Sequence, residues 1–339
     1  MDSVTQLALG ASIGVAVMGR RTCVWKAAVW GGVAGTLPDL DVFIDYGDAV
    51  LNMVLHRAHS HALWWTAVAG LLMGAGVARL HGQAHLTQRW SLAMMAALVT
   101  HPLLDVLTIY GTQLLQPWSD EALGVGSIFI IDPLYTLPLL VGLMLALWCP
   151  IAGLRWNSVL LGLSTAYLGW SLLAQTWATQ HFESALLQQG LQARALMVTP
   201  APFNTVLWRA VAVDGPHYYE GFYSLLDGGR PVRWQRFDRG QTLLEVHASH
   251  PHVQRMVRFT DGLVRMRELD GQLWLTDLRM GQEGAYVFDF RLGPALASGQ
   301  SPPAATRHTV RGPIGPGLQW LWHRILGHDL PSPTAPPPV

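Results

Sequence analysis

Charge is what this chain has least of. Only 13% of its 339 residues are Asp, Glu, Lys or Arg, against roughly 25% in an ordinary soluble protein. The 22 basic and 22 acidic groups cancel, which argues against a nucleic-acid partner. Cysteine is almost missing, and Cys23 and Cys149 cannot build a disulfide scaffold. No Walker loop or His-Glu-x-x-His occurs, so an ATPase and a zincin lack support; a serine hydrolase is set aside with them. Half of the residues are hydrophobic, which excludes a fully disordered chain.

What is present is unevenly placed. Residues 1–180 hold 16 of the 44 charged groups and 181–339 hold the other 28. The runs 58–78, 133–154 and 156–182 contain none. Each supplies the roughly 20 apolar residues that a helix needs to cross about 30 Å of hydrocarbon, with helices expected over Ala62–Ala78, Leu134–Cys149 and Ser158–Ala178. The core of a large soluble protein is the alternative, and three such runs so close together speak against it. Val4–Met18, Ala27–Ile44 and Leu92–Tyr110 fill out an α-helical membrane bundle of about six embedded helices, some short or broken. Val4–Met18 lacks the basic flank of a signal peptide. Ala27–Ile44 is broken by Pro38, and Leu92–Tyr110 carries His101 and Asp105, groups that at such depth must face protein or a water-filled cavity.

The basic residues orient the bundle. Arg20, Arg21 and Lys26 fall in one loop, Arg79 and Arg89 in the next but one, and Arg155 in a later one. The alternate loops hold Asp45 and Asp48, then Asp120 and Glu121. Basic loops stay cytoplasmic. This implies a multi-pass protein of the bacterial inner membrane whose C-terminal domain is periplasmic, with both cysteines on the reducing side.

Residues 181–293 have a different pattern. A linking helix is expected over Glu183–Met197, then six short strands: Val206–Val213, Tyr218–Leu226, Val232–Arg236, Leu263–Glu268, Leu273–Leu278 and Tyr286–Arg291. Asp227-Gly228-Gly229 and Asp270-Gly271 are turn signals between them. One antiparallel sheet is the natural reading, placed to shield or gate a site in the bundle. Residues 294–339 form a Pro-rich tail, with disorder expected over 294–305 and 329–339. Within it the segment 318–326 suits either an interfacial helix or a helix packed on the sheet.

Four clusters carry the chemistry: Asp39 and Asp41 after Pro38; His56, Arg57, His59 and His61; His101 and Asp105; and Asp132 before Pro133. Imidazole and carboxylate together suit zinc or a similar divalent ion. His101 and Asp105 are four apart, so a helix sets both on one face. All four clusters fall at the outer side of the bundle, where burying them unpaired costs several kcal/mol each. Asp39, Asp41, His56, His61, His101, Asp105 and Asp132 are therefore the candidate ligands of one or two ions. Seven exceed one tetrahedral ion, so Asp39 or Asp41 can instead serve catalysis. Arg57 suits an anionic substrate group or an ion pair with Asp41 or Asp45. His59 points away from the cluster, His81 and His85 are expected to be solvated, and His247, His250 and His252 form a surface-looking run. Asp277 and Arg279 either reach the site or bridge strands, the second being favoured.

Together these residues resemble a known family. The start Met1–Gly10, Leu37-Pro38-Asp39-Leu40-Asp41, His56-Arg57-Ala58-His59-Ser60-His61, the stretch Thr100–Pro117 and Ile130–Leu134 are similar to a bacterial inner-membrane family of metal-dependent hydrolases whose founding members are LexA-regulated. The resemblance covers about residues 1–180. Pro202-Phe203-Asn204 and Asp277–Gly281 look like the C-terminal extension of one branch. The resemblance implies a metal site made by the aspartates and histidines above. Some members have His where this chain has Gln6, and the usual Ser is Ala62 here, which removes a hydrogen bond behind the ligands. A remoter similarity to zinc-dependent phospholipase C and P1-type nucleases rests on the His-x3-Asp pair.

The expectation is thus a membrane-bound hydrolase whose zinc-activated water attacks a phosphoester or other ester of an amphiphilic or lipid substrate. The alternative is a non-catalytic membrane protein with a structural metal and a β domain that docks a partner.

Overall fold

The computed structural model describes residues 1–149, 152–295, 302–309 and 314–331. Parts of the tail expected to be disordered, 296–301 and 332–339, lie outside the described residues. The chain forms two compact units, one comprising residues 1–44, 55–172 and 202–204, the other 45–54, 173–201 and 205–339.

The first unit is helical. Its elements are α1 (Ser3–Met18), α2 (Val24–Thr36), α4 (Leu63–Leu80), α5 (Thr87–Val106), α6 (Pro133–Trp148) and the first part of α7 (Ala152–Gln188); the short α3 (Ala49–Leu55) intervenes in sequence. Asp2 caps α1 through the amides of Val4 and Thr5, satisfying donors that the first helical turn leaves bare.

Small residues let the helices close up. A Cβ on Gly10 would stand 2.3 Å from the Gly31 carbonyl oxygen, and one on Gly35 would stand 2.5 Å from that of Gln6. Gly10 and Gly14 on α1, with Gly31 and Gly35 on α2, make two facing Gly-x3-Gly motifs. Gly10–Gly14 also spells the Gly-x-Ser-x-Gly of a serine nucleophile. Ser12 nevertheless lies buried in mid-helix, not on a strand-to-helix elbow, and the glycines serve packing. Gly70 and Gly74 bring α4 against the backbone of Met95 and Ser91 on α5 in the same way.

Among the described residues, one helix, Leu63–Leu80, is long and apolar enough to cross a membrane, and Pro133–Trp148 is apolar but shorter. Length and composition therefore do not give the expected count of about six. Helix α7 has the length, at 37 residues, but it carries polar groups turned toward protein. Asn157 donates to the Ser12 carbonyl (2.9 Å) and Ser164 to the Tyr135 carbonyl (2.9 Å). His81, expected in solvent, accepts from the Trp30 indole at 2.8 Å and stacks on Trp90.

Among the described residues, the second unit contains two antiparallel four-stranded sheets rather than one six-stranded sheet. The first runs β1-β2-β3-β4, from Ala195–Pro200, Leu207–Asp214, His217–Ser224 and Gln235–Asp238. After α8 (Gln241–Val246) and α9 (Pro251–Phe259) comes β5-β6-β7-β8, from Val264–Leu269, Gln272–Asp277, Asp289–Gly293 and Thr306–His308. Helix α10 (Ile314–Ile325) follows. The linking helix expected over Glu183–Met197 is formed only at its start, as the last turns of α7. Helix α7 continues to Gln188, Gly190 turns at a φ of 70°, and Ala195 already begins β1. Asp270 and Gly271, with φ of 53° and 69°, make the expected two-residue hairpin turn between β5 and β6.

Buried charges are paired here. Arg209 on β2 meets Glu220 on β3 at 2.6 Å, and Arg265 on β5 meets Glu283 at 3.0 Å. Asp277 takes the Arg279 guanidinium at 2.9 Å, and Arg279 also donates to the Phe259 carbonyl, so this pair ties the end of β6 to α9. The His247–His252 run is not a surface feature throughout. His252 is buried with Nε2 3.2 Å from Asp48, and His250 caps α9. Helix α10 buries Trp320, Leu321 and Arg324 and packs Trp320 edge-on against Phe222 of β3.

Candidate metal centre

Three backbone devices deliver the site. Helix α2 stops at Thr36, and Pro38 opens a 3-10 turn over Pro38–Phe43 that carries Asp39 and Asp41. A second 3-10 turn, His59–His61, carries His61 into α4. Between them Arg57 takes a φ of +65°, a conformation that costs a non-glycine residue about 1–3 kcal/mol unless its surroundings enforce it. They do: its amide donates to Asp41 (3.0 Å) and its carbonyl accepts from the Gln113 amide (2.9 Å). Helix α5 supplies His101 and Asp105 one turn apart, as their spacing requires.

These elements bring together Asp39, His61, His101 and Asp105, one donor atom from each lying within 4.8 Å of the others. The Nε2 atoms of His61 and His101 stand 3.1 Å apart. Asp39 Oδ1 is 3.5 Å from the first and 3.4 Å from the second. Asp105 Oδ2 is 3.3 Å from each. Four donors bonded to zinc at about 2.0–2.1 Å define a tetrahedron with edges of about 3.3 Å. These five separations match that figure, and the sixth, between the two carboxylate oxygens, lies within 4.8 Å. His61, His101 and Asp105 are fully buried, and Asp39 is 19% exposed at its side chain.

The hydrogen bonds aim the donors. His101 Nδ1 donates to the Gly35 carbonyl at 2.6 Å, which leaves Nε2 with its lone pair facing the cluster. The close α1–α2 packing at Gly35 thus also sets the tautomer of a ligand on α5. His61 Nδ1 donates to Ser60 Oγ (2.8 Å), and Ser60 in turn donates to Asp41 Oδ2 (2.6 Å). Asp105 Oδ1 accepts from the Met1 amine and from Gln6 (3.2 Å), with the Arg57 guanidinium 3.4 Å away. Its other oxygen, Oδ2, is buried with no hydrogen-bond partner. An orphaned carboxylate oxygen costs free energy, and here it points at two imidazole nitrogens. The donor set and this orphan both fit a divalent cation. Burial opposes a charge on His61, yet the carboxylates of Asp105, Asp39 and Asp41 prevail and raise its pKa to about 9. Without an ion the imidazole itself becomes the cation.

Three sequence candidates stand outside the four. Asp41 bonds Ser60 and the Arg57 amide, and pairs with His56 Nδ1 at 2.7 Å, so it braces His61 from behind. His56 lies on the rim, edge-on to Tyr110. Asp132 caps α6 through the amides of Leu134 and Tyr135 and accepts from the Tyr167 hydroxyl at 3.0 Å; its oxygens are occupied. Arg57 pairs with Asp105 rather than with Asp41 or Asp45, and its guanidinium lies 4.8 Å over the Tyr110 ring. His59 is exposed. Ser60 lies inside the motif that carries His61 without being singled out from sequence, and the Gly35 carbonyl lies two residues before the motif that carries Asp39.

Taken together, the first unit is a helical bundle built around a buried two-histidine, two-aspartate cluster able to hold a divalent cation. The chain belongs to the YdjM inner membrane protein family, whose model matches residues 1–178. It is 26% identical over 139 residues to the uncharacterized protein YfhP of Bacillus subtilis (strain 168), a match covering 39% of this chain and 42% of that protein. The chain therefore spans less than half the length of this curated relative. No solved structure matches.

Proposed function

We propose that this protein is a membrane-bound, zinc-dependent hydrolase that cleaves an ester, in the first instance a phosphoester, of an amphiphilic or lipid substrate. The observation that carries the reading is the spacing of four donors at tetrahedral edges with the Asp105 Oδ2 orphan among them. Zinc, when bound, acts as a Lewis acid and lowers the pKa of a water molecule toward about 7. His61, His101 and Asp105 hold the ion from the buried side. Asp39, the one donor with solvent exposure, marks the side from which substrate arrives and is placed to accept a proton there. Arg57, whose Nε has no hydrogen-bond partner, offers a fixed positive charge to an anionic group. Asp41 keeps His61 in register. Among the described residues one such donor group is assembled, so the proposal is for one ion.

The basic loops support a multi-pass topology with the C-terminal unit on the periplasmic side of the inner membrane. A second reading is favoured by one observation. Four protein donors close a tetrahedron, as in a structural site, whereas hydrolytic sites keep a position open. In that case the protein is non-catalytic and its β unit docks a partner. Elemental analysis of detergent-purified protein, followed by a hydrolysis screen over phospholipids and lipid-linked phosphates, separates the two. Activity lost on chelation and restored by zinc supports the enzyme. Stoichiometric zinc without turnover supports the structural ion, and absence of any divalent metal overturns both.

A further inference from the structure

Beside the donor cluster the first unit holds a cavity of about 490 Å³, within the range of small-molecule sites. Pro38 and Ser60 line its mouth, and each is the immediate chain neighbour of a donor, Asp39 and His61. From there the cavity follows α4 past Trp65, Ala69 and Met73, with Leu98 of α5 opposite. Positions 65, 69 and 73 recur every four residues and so share one helix face. At 1.5 Å per residue the three span about 12 Å.

The walls are apolar and braced. Thr66 also borders the space, but its hydroxyl donates to the Ala62 and Leu63 carbonyls of its own helix and offers the cavity nothing. Trp65 stacks on Trp64 at 4.3 Å, and Trp64 is fixed by its bond to the Gln116 carbonyl. Ala69 supplies the room, since no larger side chain stands at that step of the face. One end of this groove is bordered by Pro38, His59 and Ser60, chain neighbours of the donors Asp39 and His61. The rest is lined by Trp65, Ala69, Met73 and Leu98 and runs about two helical turns along α4.

We infer that this slot binds the linear acyl or alkyl tail of the substrate, with the tail lying along α4 while the ester is held at the donors. The inference deepens the hydrolase reading and rests on it for the headgroup. The tail site itself rests on the cavity. Ala69, Met73 and Leu98 are then the residues that determine chain length: a bulky residue at 69 closes the slot after its first turn, and truncation of Met73 extends it.

The test uses the full chain in nanodiscs and a non-hydrolysable probe, dodecyl phosphonate bearing a terminal diazirine. Photolysis and peptide mapping should place the label on Ala69, Met73 and Leu98. Ala69→Trp should cut labelling there at least tenfold at unchanged zinc content; Ala69→Leu serves if the tryptophan variant does not fold. Dodecane bearing the same diazirine, which has no headgroup, should label the lipid-facing helices without preference. Phosphonate label spread evenly over α4, α6 and α7 and insensitive to Ala69→Leu means ordinary lipid contact and overturns the slot. Label at Met73 that survives Asp105→Ala leaves the tail site standing and removes its tie to the ion. Loss of that label together with zinc supports both readings at once.

Discussion

Asp41→Asn separates a ligand from a brace. In sequence Asp41 looks as much like a ligand as Asp39, two residues away. In the structure its Oδ2 receives the Ser60 hydroxyl at 2.6 Å and the Arg57 amide at 3.0 Å, while Oδ1 takes His56 at 2.7 Å. Of the two imidazoles in the cluster it faces His61, whose Nδ1 stands 3.5 Å away, on the side of the ring away from the other donors. Asparagine keeps the size and one acceptor but removes the charge that holds Ser60 and His61 in line. Loss of such an outer partner costs about 10- to 100-fold in metal affinity, or about 1.4–2.8 kcal/mol. His101→Ala, which deletes a donor outright, should purify without metal. Zinc content by mass spectrometry and affinity by competition against a chromophoric chelator measure both. Asp41→Asn should stay loaded at saturating zinc and bind 10- to 100-fold more weakly, with Ser60→Ala shifted in the same direction. If Asp41→Asn emerges as empty as His101→Ala, Asp41 is a ligand and not a brace.

Four further outcomes are expected. Asp132→Ala should lower stability by about 1 kcal/mol through its helix cap, read by thermal unfolding in detergent, with zinc content unaltered; loss of zinc would return Asp132 to the site. Gly31→Leu should cost about 1–3 kcal/mol or more by overpacking α1 against α2, because a Cβ there already stands 2.3 Å from the Gly10 carbonyl. It should also weaken zinc binding through Gly35 and His101. The His61 pKa, raised from 6.5 to about 9 in the ion-free chain, implies stabilisation that is complete below 6.5 and is lost as pH rises through 9. Zinc must displace that proton, so its affinity should climb about tenfold per pH unit across this window and level off above it, a slope that chelator titrations at several pH values will show or fail to show. Asp277→Asn should destabilise the second unit by about 3–5 kcal/mol, by leaving the buried Arg279 uncompensated, and should leave zinc binding as it was.

What could be read from sequence follows from which forces are local. His101 and Asp105 were legible as a pair because helix geometry alone sets them on one face. The turn Asp270-Gly271 was legible because its backbone demands those residues. The division of the C-terminal half into two sheets was not, since short strands and similar turns recur on both sides of α8 and α9 without marking which strands pair. Strand β1 looks like the end of a helix in sequence because Ala195, Leu196 and Met197 favour helices and only pairing with Ala212 and Val213 across the sheet overrides them. Charge-free runs located apolar helices, but the absence of charge does not distinguish a lipid face from the buried Asn157, Ser164 and Ser171 of α7.

Within the site the limit is sharper. Sequence identifies which carboxylates lie near the cluster and says nothing of what already occupies their oxygens. Asp132-Pro133 has the form of a helix cap followed by proline at the first helical position, and both its oxygens are taken by α6 and Tyr167. Asp41 is taken by Ser60, Arg57 and His56. Asp105 differs from both: one oxygen is crowded by cations, and the other makes no hydrogen bond and faces the His61 and His101 nitrogens at 3.3 Å, although it is fully buried. Without an ion that oxygen is answered by the charge raised on His61; a divalent cation would take over at the point where two imidazole nitrogens and a second carboxylate, that of Asp39, meet. What calls for an ion is therefore less the number of acids and histidines nearby than the one buried carboxylate oxygen that makes no hydrogen bond.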